Sequence, residues 1–156
     1  MAGRILLGFD ESENAMRAVE FIAKFFTPDH AVTFFHVLLD TEAICDMNSP
    51  ELSPLFLAHQ ADFCTLEDKK KDMVTRHMEK GKEILVSAGF SEANISFKVQ
   101  TRKKGVARDI ASEAKSGYDA VVLGRRGLSN IAEFFLGSIS QKVLHASKDI
   151  SVVLVT

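Results

Sequence analysis

Several residue types are rare in this sequence of 156 residues: it has two cysteines, three prolines, one tyrosine and no tryptophan. Cys45 and Cys64 form no C-x-x-C pair and no larger framework, so we expect two reduced thiols. No apolar run approaches the roughly 18 residues of a membrane span, and the first residues lack the pattern of a signal peptide. We therefore expect a cytoplasmic protein with no membrane partner.

Charge and composition exclude further classes of protein. The formal net charge of −2 gives no support to nucleic-acid binding as the main activity. Apolar residues make up 46% and charged residues 26% of the chain, ordinary values for a folded globular protein. No internal repeat or break in composition is visible, so we predict a single domain spanning residues 1–156.

Apolar runs alternate with amphipathic stretches from end to end. The runs predicted as strands cover residues 5–9, 32–39, 95–101, 120–123 and 152–155. The order βαβαβαβαβ predicts an α/β fold in three layers, with a mostly parallel sheet and helices on both faces. The longest helix is expected from about residue 58 to a cap at Gly89, after an irregular connection over residues 40–57.

Two features of that long helix are predicted from its spacing. The residues expected to share its inner face are Met73, His77, Gly81, Ile84 and Ala88. The run Lys69-Lys70-Lys71 is expected to be a solvated surface.

One glycine-rich segment carries the clearest functional signal. Gly124 follows the most apolar strand, Gly127 comes three residues later, and Gly137-Ser138 opens the last helix. Open parallel sheets bind ligands beyond the carboxyl ends of their strands, where glycine permits positive φ and a close approach of main-chain amides to an anion. A helix N-terminus suits phosphate oxygens. Each glycine alone is explained by a turn or by helix packing, but the combination predicts a phosphate site. It is neither a P-loop nor a G-x-G-x-x-G loop.

Residues 124–138 match the pattern G-x-x-G-x9-G-[ST], and with it the sequence resembles the universal stress protein family, more narrowly its ATP-binding branch. The resemblance covers essentially the whole chain, including the first strand ending in Asp10 and the pair His36-Val37. It implies a five-stranded parallel sheet in the order 3-2-1-4-5 and ATP as the ligand, with magnesium or manganese bound mainly through the phosphates. It also implies a role in the stress response, with a protein partner that the sequence does not name.

The resemblance further implies which residues contact the nucleotide. Those expected around adenine and ribose are Gly8, Phe9, Asp10 and Val37, the last through its backbone. Those expected at the sugar are Leu123 and Gly124. Those expected around the phosphates are Gly127, Gly137, Ser138, Ile139 and Ser140. The residues themselves add the expectation that Arg125 or Arg126 supplies positive charge at the phosphates. The sequence departs from the family pattern at Arg125-Arg126, at Gly8, where several relatives carry another small residue, and at Ser151, where the last strand usually opens with proline.

The protein is also expected to form a homodimer through its last strand. In the 3-2-1-4-5 order it lies at a sheet edge, where unpaired N–H and C=O groups invite pairing with another chain. No charge, proline or glycine interrupts residues 152–155. We therefore predict a two-fold contact through residues 151–156.

Three interpretations of the function stay open at this stage. The favoured one is a nucleotide-dependent binding module; the others are a slow ATPase or nucleotidyl-transfer enzyme, and a carrier of flavin or another nucleotide. No catalytic residue and no protein metal site are predicted, because no base lies near the glycine-rich loop and the histidines lack ligand spacing. We expect slow ATP hydrolysis at most. Asp10 or Ser12 is also expected to cap the first helix, because the side-chain oxygen of either can accept from a first-turn amide.

Overall fold

The computed structural model describes residues 2–49, 51–125 and 138–156. The described residues form five strands: β1 (Arg4–Gly8), β2 (Ala31–Leu38), β3 (Ile95–Thr101), β4 (Ala120–Gly124) and β5 (Ser151–Val155). Five α-helices alternate with them: α1 (Glu13–Phe25), α2 (Glu42–Cys45), α3 (Pro54–Ser87), α4 (Val106–Ala114) and α5 (Ser138–Ala146). All strand pairs are parallel and the order is β3-β2-β1-β4-β5, which confirms the predicted sheet.

The two central strands, β1 and β4, are apolar because helices cover both of their faces. Successive side chains of a strand point to opposite faces. Ile5 and Leu7 accordingly pack with α1 and α3, whereas Leu6 packs with α4 and α5. The predicted three-layer arrangement is therefore confirmed. None of the helices in the described residues is both long and apolar enough to span a membrane.

The turn between β1 and α1 is ordered by short-range hydrogen bonds. Ser12 caps α1, since its Oγ accepts from the backbone N of Ala15 at 3.3 Å. Asp10 Oδ1 accepts from the backbone N of Ser12 at 2.8 Å. The cap is thus Ser12, and Asp10 shapes the turn in front of it.

The predicted irregular connection over residues 40–57 is wrong at both ends. It contains the short helix α2, and residues 54–57 already belong to α3. Pro54 stands at the first turn of α3, where a missing N–H costs nothing because that amide has no partner within the helix. Ser53 caps this turn, its Oγ accepting from the backbone N of Phe56 at 3.2 Å.

The buried face of α3 is rotated from the predicted one. The buried residues are Val74, Met78, Gly81 and Leu85. Of the predicted inner face, Gly81 is buried and Ile84 packs partly buried against the core, whereas Met73 is 42% exposed. A shift of one residue turns a helical position by about 100°. The predicted end at Gly89 is confirmed: its φ is +102°, and Phe90 N donates to Leu85 O at 3.0 Å.

Cys45 and Cys64 form a disulfide between α2 and α3, so the prediction of two reduced thiols is wrong for this structure. The side-chain amide of Gln60 strengthens the same attachment, donating to Met47 O at 3.0 Å and to Ile44 O. The pairing is not visible in the sequence, because 19 residues separate the two cysteines and only the return of the chain into α3 brings them together.

Candidate functional site

A crevice opens where the order of the strands reverses. The chain runs from β1 outward through β2 to β3, then returns to place β4 on the other side of β1. The carboxyl ends of β1 and β4 lie side by side, with Gly8 opposite Leu123. The helices that follow these two strands along the chain, α1 and α5, pack on opposite faces of the sheet, which leaves space between them. This is the position at which open α/β sheets bind ligands.

The crevice holds a cavity of about 250 Å³, somewhat below the roughly 300–1,000 Å³ of ordinary small-molecule sites. Nine of the residues expected to contact nucleotide line it: Gly8, Phe9, Asp10, Val37, Leu123, Gly124, Ser138, Ile139 and Ser140. The other three, Arg126, Gly127 and Gly137, lie outside the described residues. The structure thus brings residues from four separate segments of the chain to one cavity, and their contact with a nucleotide stays a prediction.

The main-chain N–H and C=O groups of Val37, near the end of β2, point toward the cavity. Phe9 N donates to Phe35 O at 2.9 Å, so the main-chain groups of Phe35 face β1. Main-chain groups alternate in direction along a strand. Leu38 O accordingly accepts from Arg102 N, beyond β3, at 2.7 Å. The N–H and C=O of Val37 therefore point to the β1 side, where β1 has already ended.

His36 holds the same corner of the cavity together. Its Nδ1 lies 2.8 Å from the carbonyl oxygen of Phe9. Since a carbonyl can only accept, we assign the proton to Nδ1. This bond ties the end of β1 to β2.

Gly124 is required here for a reason that differs from the expected one. Its φ is not in the positive range. Instead, β4 ends directly against the first turn of α1: a Cβ on Gly124 would meet the Asn14 carbonyl oxygen and lie 2.5 Å from the carbonyl carbon. The glycine allows this close approach of strand and helix, so it shapes the wall of the cavity.

A buried carboxylate positions α4 on the other side of the cavity. Asp109 is 3% exposed and accepts from the backbone N of Lys103 at 2.7 Å and of Lys104 at 3.1 Å. Gly105, with φ +128°, completes the turn that starts the helix. Val106 and Ile110 of α4 thereby form part of the apolar lining. No local pattern in the sequence indicates this role of Asp109.

Helix α3 adds a charged wall that the sequence analysis missed. Glu67, Lys70 and Lys71 line the cavity. Lys69 and Lys70 are exposed as predicted, whereas Lys71 is half-buried. Lys71 lies three residues before Val74, on the face of α3 that is buried farther along the helix and that the predicted inner face did not include. Across residues 2–49, 51–125 and 138–156, no group of three or more His, Cys, Asp or Glu side chains is arranged to hold a metal ion.

Comparison with known proteins decides the family. The sequence model of the universal stress protein family matches residues 1–156. The chain belongs to the universal stress protein family. No curated protein was matched by sequence comparison.

Several solved structures resemble this universal stress protein along nearly its whole length. Hypothetical protein MJ0577, a test case of structural genomics, is 23% identical with a TM-score of 0.69, and the match covers 99% of this chain and 96% of the other. A universal stress protein in complex with cAMP is 17% identical with a TM-score of 0.62, covering 99% and 96%. A family member from Arabidopsis thaliana with AMP bound is 17% identical with a TM-score of 0.63, covering 98% and 90%. At these identities the likeness establishes the fold.

Proposed function

We propose that this universal stress protein is an ATP-binding regulatory protein of the stress response, which acts in the cytoplasm as a nucleotide-dependent homodimer. One observation carries the proposal: nine of the residues expected to contact nucleotide come from four segments of the chain and line one cavity at the switch point of the sheet. Two relatives of the same fold hold the adenine nucleotides cAMP and AMP, which supports adenine as the base.

We place the adenine ring against the end of β2. The C=O of Val37 accepts from the N6 amine of adenine, and its N–H donates to the ring nitrogen N1. Guanine carries an acceptor, O6, in place of the amine, and a protonated N1. With guanine, the Val37 C=O would face the O6 acceptor and the Val37 N–H would face the protonated N1, so neither hydrogen bond could form. The main-chain groups of Val37 would be desolvated and left unpaired. Leu123 and Ile110 supply the apolar surface that the ring needs.

We place the phosphates at the first turn of α5. Amides of a helix N-terminus and the positive end of the helix dipole favour anions. Residues 138–140 line the cavity at this point. Arg126, Gly127 and Gly137 are proposed to complete the phosphate site.

A magnesium or manganese ion is proposed to accompany ATP. Mg²⁺ keeps several waters and takes only one or two carboxylates besides phosphate oxygens. The cavity wall offers carboxylates of this kind at Asp10 and Glu11. The residues present therefore fit an ion that is held mainly through the phosphates.

The test of this proposal is binding of ATP and GTP in the presence of magnesium, measured by titration calorimetry. We expect ATP to bind at least about tenfold more tightly than GTP, because a site built around hydrogen bonds rejects a ligand that cannot form them. Equal affinity for the two nucleotides, or no binding of ATP, would contradict the proposal.

A matched pair of variants at Ser138 locates the phosphates. Ser138→Asp places a carboxylate at the start of α5, where it favours the helix but repels phosphate. Ser138→Asn has nearly the same shape and no charge. We expect the aspartate variant to keep its fold and lose at least about tenfold in ATP affinity, while the asparagine variant binds much more tightly than the aspartate variant. Indistinguishable affinities would place the phosphates elsewhere.

The proposed dimer contact is the outer edge of β5. Arg125 N donates to Val155 O at 2.6 Å, so the main-chain groups of Val155 face β4. By alternation, those of Val153 also face β4, whereas those of Val152 and Leu154 face outward. A second copy of the strand would use these outward groups for an antiparallel pair.

Replacing Val152 with proline tests this contact. The substitution removes an outward N–H, which an edge strand tolerates in the monomer, and it leaves the bonds to β4 in place. We expect Val152→Pro to sediment as a monomer and Val152→Thr, which keeps the N–H, to sediment as a dimer like the parent. A dimeric Val152→Pro protein, or a monomeric parent, would rule out this interface.

A further inference from the structure

Helix α3 is roughly twice as long as the strands that it covers. Its 34 residues span about 51 Å, whereas the longest strand, β2, spans about 26 Å with eight residues. The buried residues of α3 all lie between Val74 and Leu85, in its C-terminal half. Because α3 follows β2 along the chain, its first half lies on the side of the carboxyl ends of the strands. That half therefore extends beyond the sheet, next to the cavity.

The part of α3 at the cavity is charged. Glu67, Lys70, Lys71 and Val74 line the cavity, and their spacing of i, i+3, i+4 and i+7 places them on one face of the helix. A stripe of this kind usually continues the apolar core. At the cavity, the ammonium groups of Lys70 and Lys71 and the carboxylate of Glu67 take the place of apolar side chains on this face.

The three consecutive lysines of α3 have different surroundings. Lys69 is exposed and does not line the cavity. Lys70 lines the cavity, but its Nζ lies 3.4 Å from Glu67 Oε1, so its charge is matched within α3. Lys71 also lines the cavity and is half-buried. No carboxylate of the described residues lies within ion-pair distance of it.

We propose that Lys71 is a further binding residue of the nucleotide site, and that its charge makes the cavity select anionic over neutral adenine compounds. The inference rests on the proposed function. Lys71 brings its ammonium group to the cavity wall from the side of α3, at a half-buried position where water screens its attraction for phosphate less than at the surface.

The experiment compares Lys71→Met with Lys69→Met, using magnesium ATP and adenosine as the two ligands. Both substitutions remove one positive charge from neighbouring positions of the same helix, and methionine retains helix propensity and an apolar stem. We expect Lys71→Met to weaken ATP binding by about three- to tenfold and adenosine binding by less than about twofold. Lys69→Met is expected to change either affinity by less than about twofold. The loss for ATP should also shrink as salt is raised.

The outcomes separate this inference from the proposed function. If the parent binds ATP but Lys71→Met behaves like Lys69→Met, the role of Lys71 is wrong and the nucleotide site stands. If Lys71→Met loses ATP and adenosine equally, its contribution is packing, and selection by charge is overturned. If the parent binds no ATP, the proposed function fails and the inference fails with it. Equal melting temperatures of the two variants exclude a folding defect as the cause of a difference.

Discussion

Gly124→Ala is expected to destabilise the protein by about 3 kcal/mol, which corresponds to a melting temperature lower by roughly 6–12 °C. The added Cβ would lie 2.5 Å from the carbonyl carbon of Asn14 and 3.0 Å from its Cβ. The carbonyl belongs to the backbone of α1, which cannot move aside without shifting the whole helix. Thermal unfolding followed by circular dichroism measures the effect.

Gly8→Ala is the control for this prediction. Its added Cβ would also meet a neighbour, but that neighbour is the tip of the Leu123 side chain, which can change its rotamer. We therefore expect a smaller loss, of about 1 kcal/mol. If Gly124→Ala melts with the parent, or if the two glycine variants lose equal stability, the close approach of β4 and α1 is not the reason for glycine at position 124.

Removal of the Cys45–Cys64 disulfide is expected to cost a similar amount, about 3 kcal/mol. The cross-link closes a loop between residues 19 apart, and the chain-entropy model assigns about 3 kcal/mol to a loop of this size. The double variant Cys45→Ser/Cys64→Ser removes the bond without leaving a single reactive thiol. Its unfolding by urea, compared with that of the oxidised parent, gives the free-energy difference.

The reduced parent provides the control for the disulfide. With a dithiol reductant present, the parent and the double variant are expected to unfold at the same urea concentration. A parent that is insensitive to the reductant, or that shows two free thiols by mass measurement after alkylation, would contradict the pairing. The same measurement on protein taken rapidly from cells bears on the proposed cytoplasmic location, because disulfides are rare in a reducing cytosol.

Local patterns in the sequence predicted the elements around the site well. Apolar runs of limited length marked the strands, and β4 ends at the predicted Gly124. Gly89 ends α3 as expected because a positive φ at a helix end favours glycine strongly. These features depend on residues close together in the chain, so their physical causes are visible in the sequence.

Prolines and long helices were predicted less well. Pro54 was treated as part of an irregular connection, although proline is favoured in the first turn of a helix. The inner face of α3 was assigned one residue away from the true one, and this hid Lys71 from the site. Exposed apolar residues such as Met73 blur the periodicity of a helix whose first half does not pack on the sheet.

Local spacing in the sequence was enough to predict the α/β class and the positions of the strands, and it contains the motif on which the resemblance to the family rests. Only the tertiary structure decided that Gly124 makes room for Asn14, that Cys45 pairs with Cys64, and that α3 contributes charge to the cavity. All three depend on which distant segments the sheet brings together. Spacing along the chain carries no information on such contacts until the packing of the helices against the strands has set their distances.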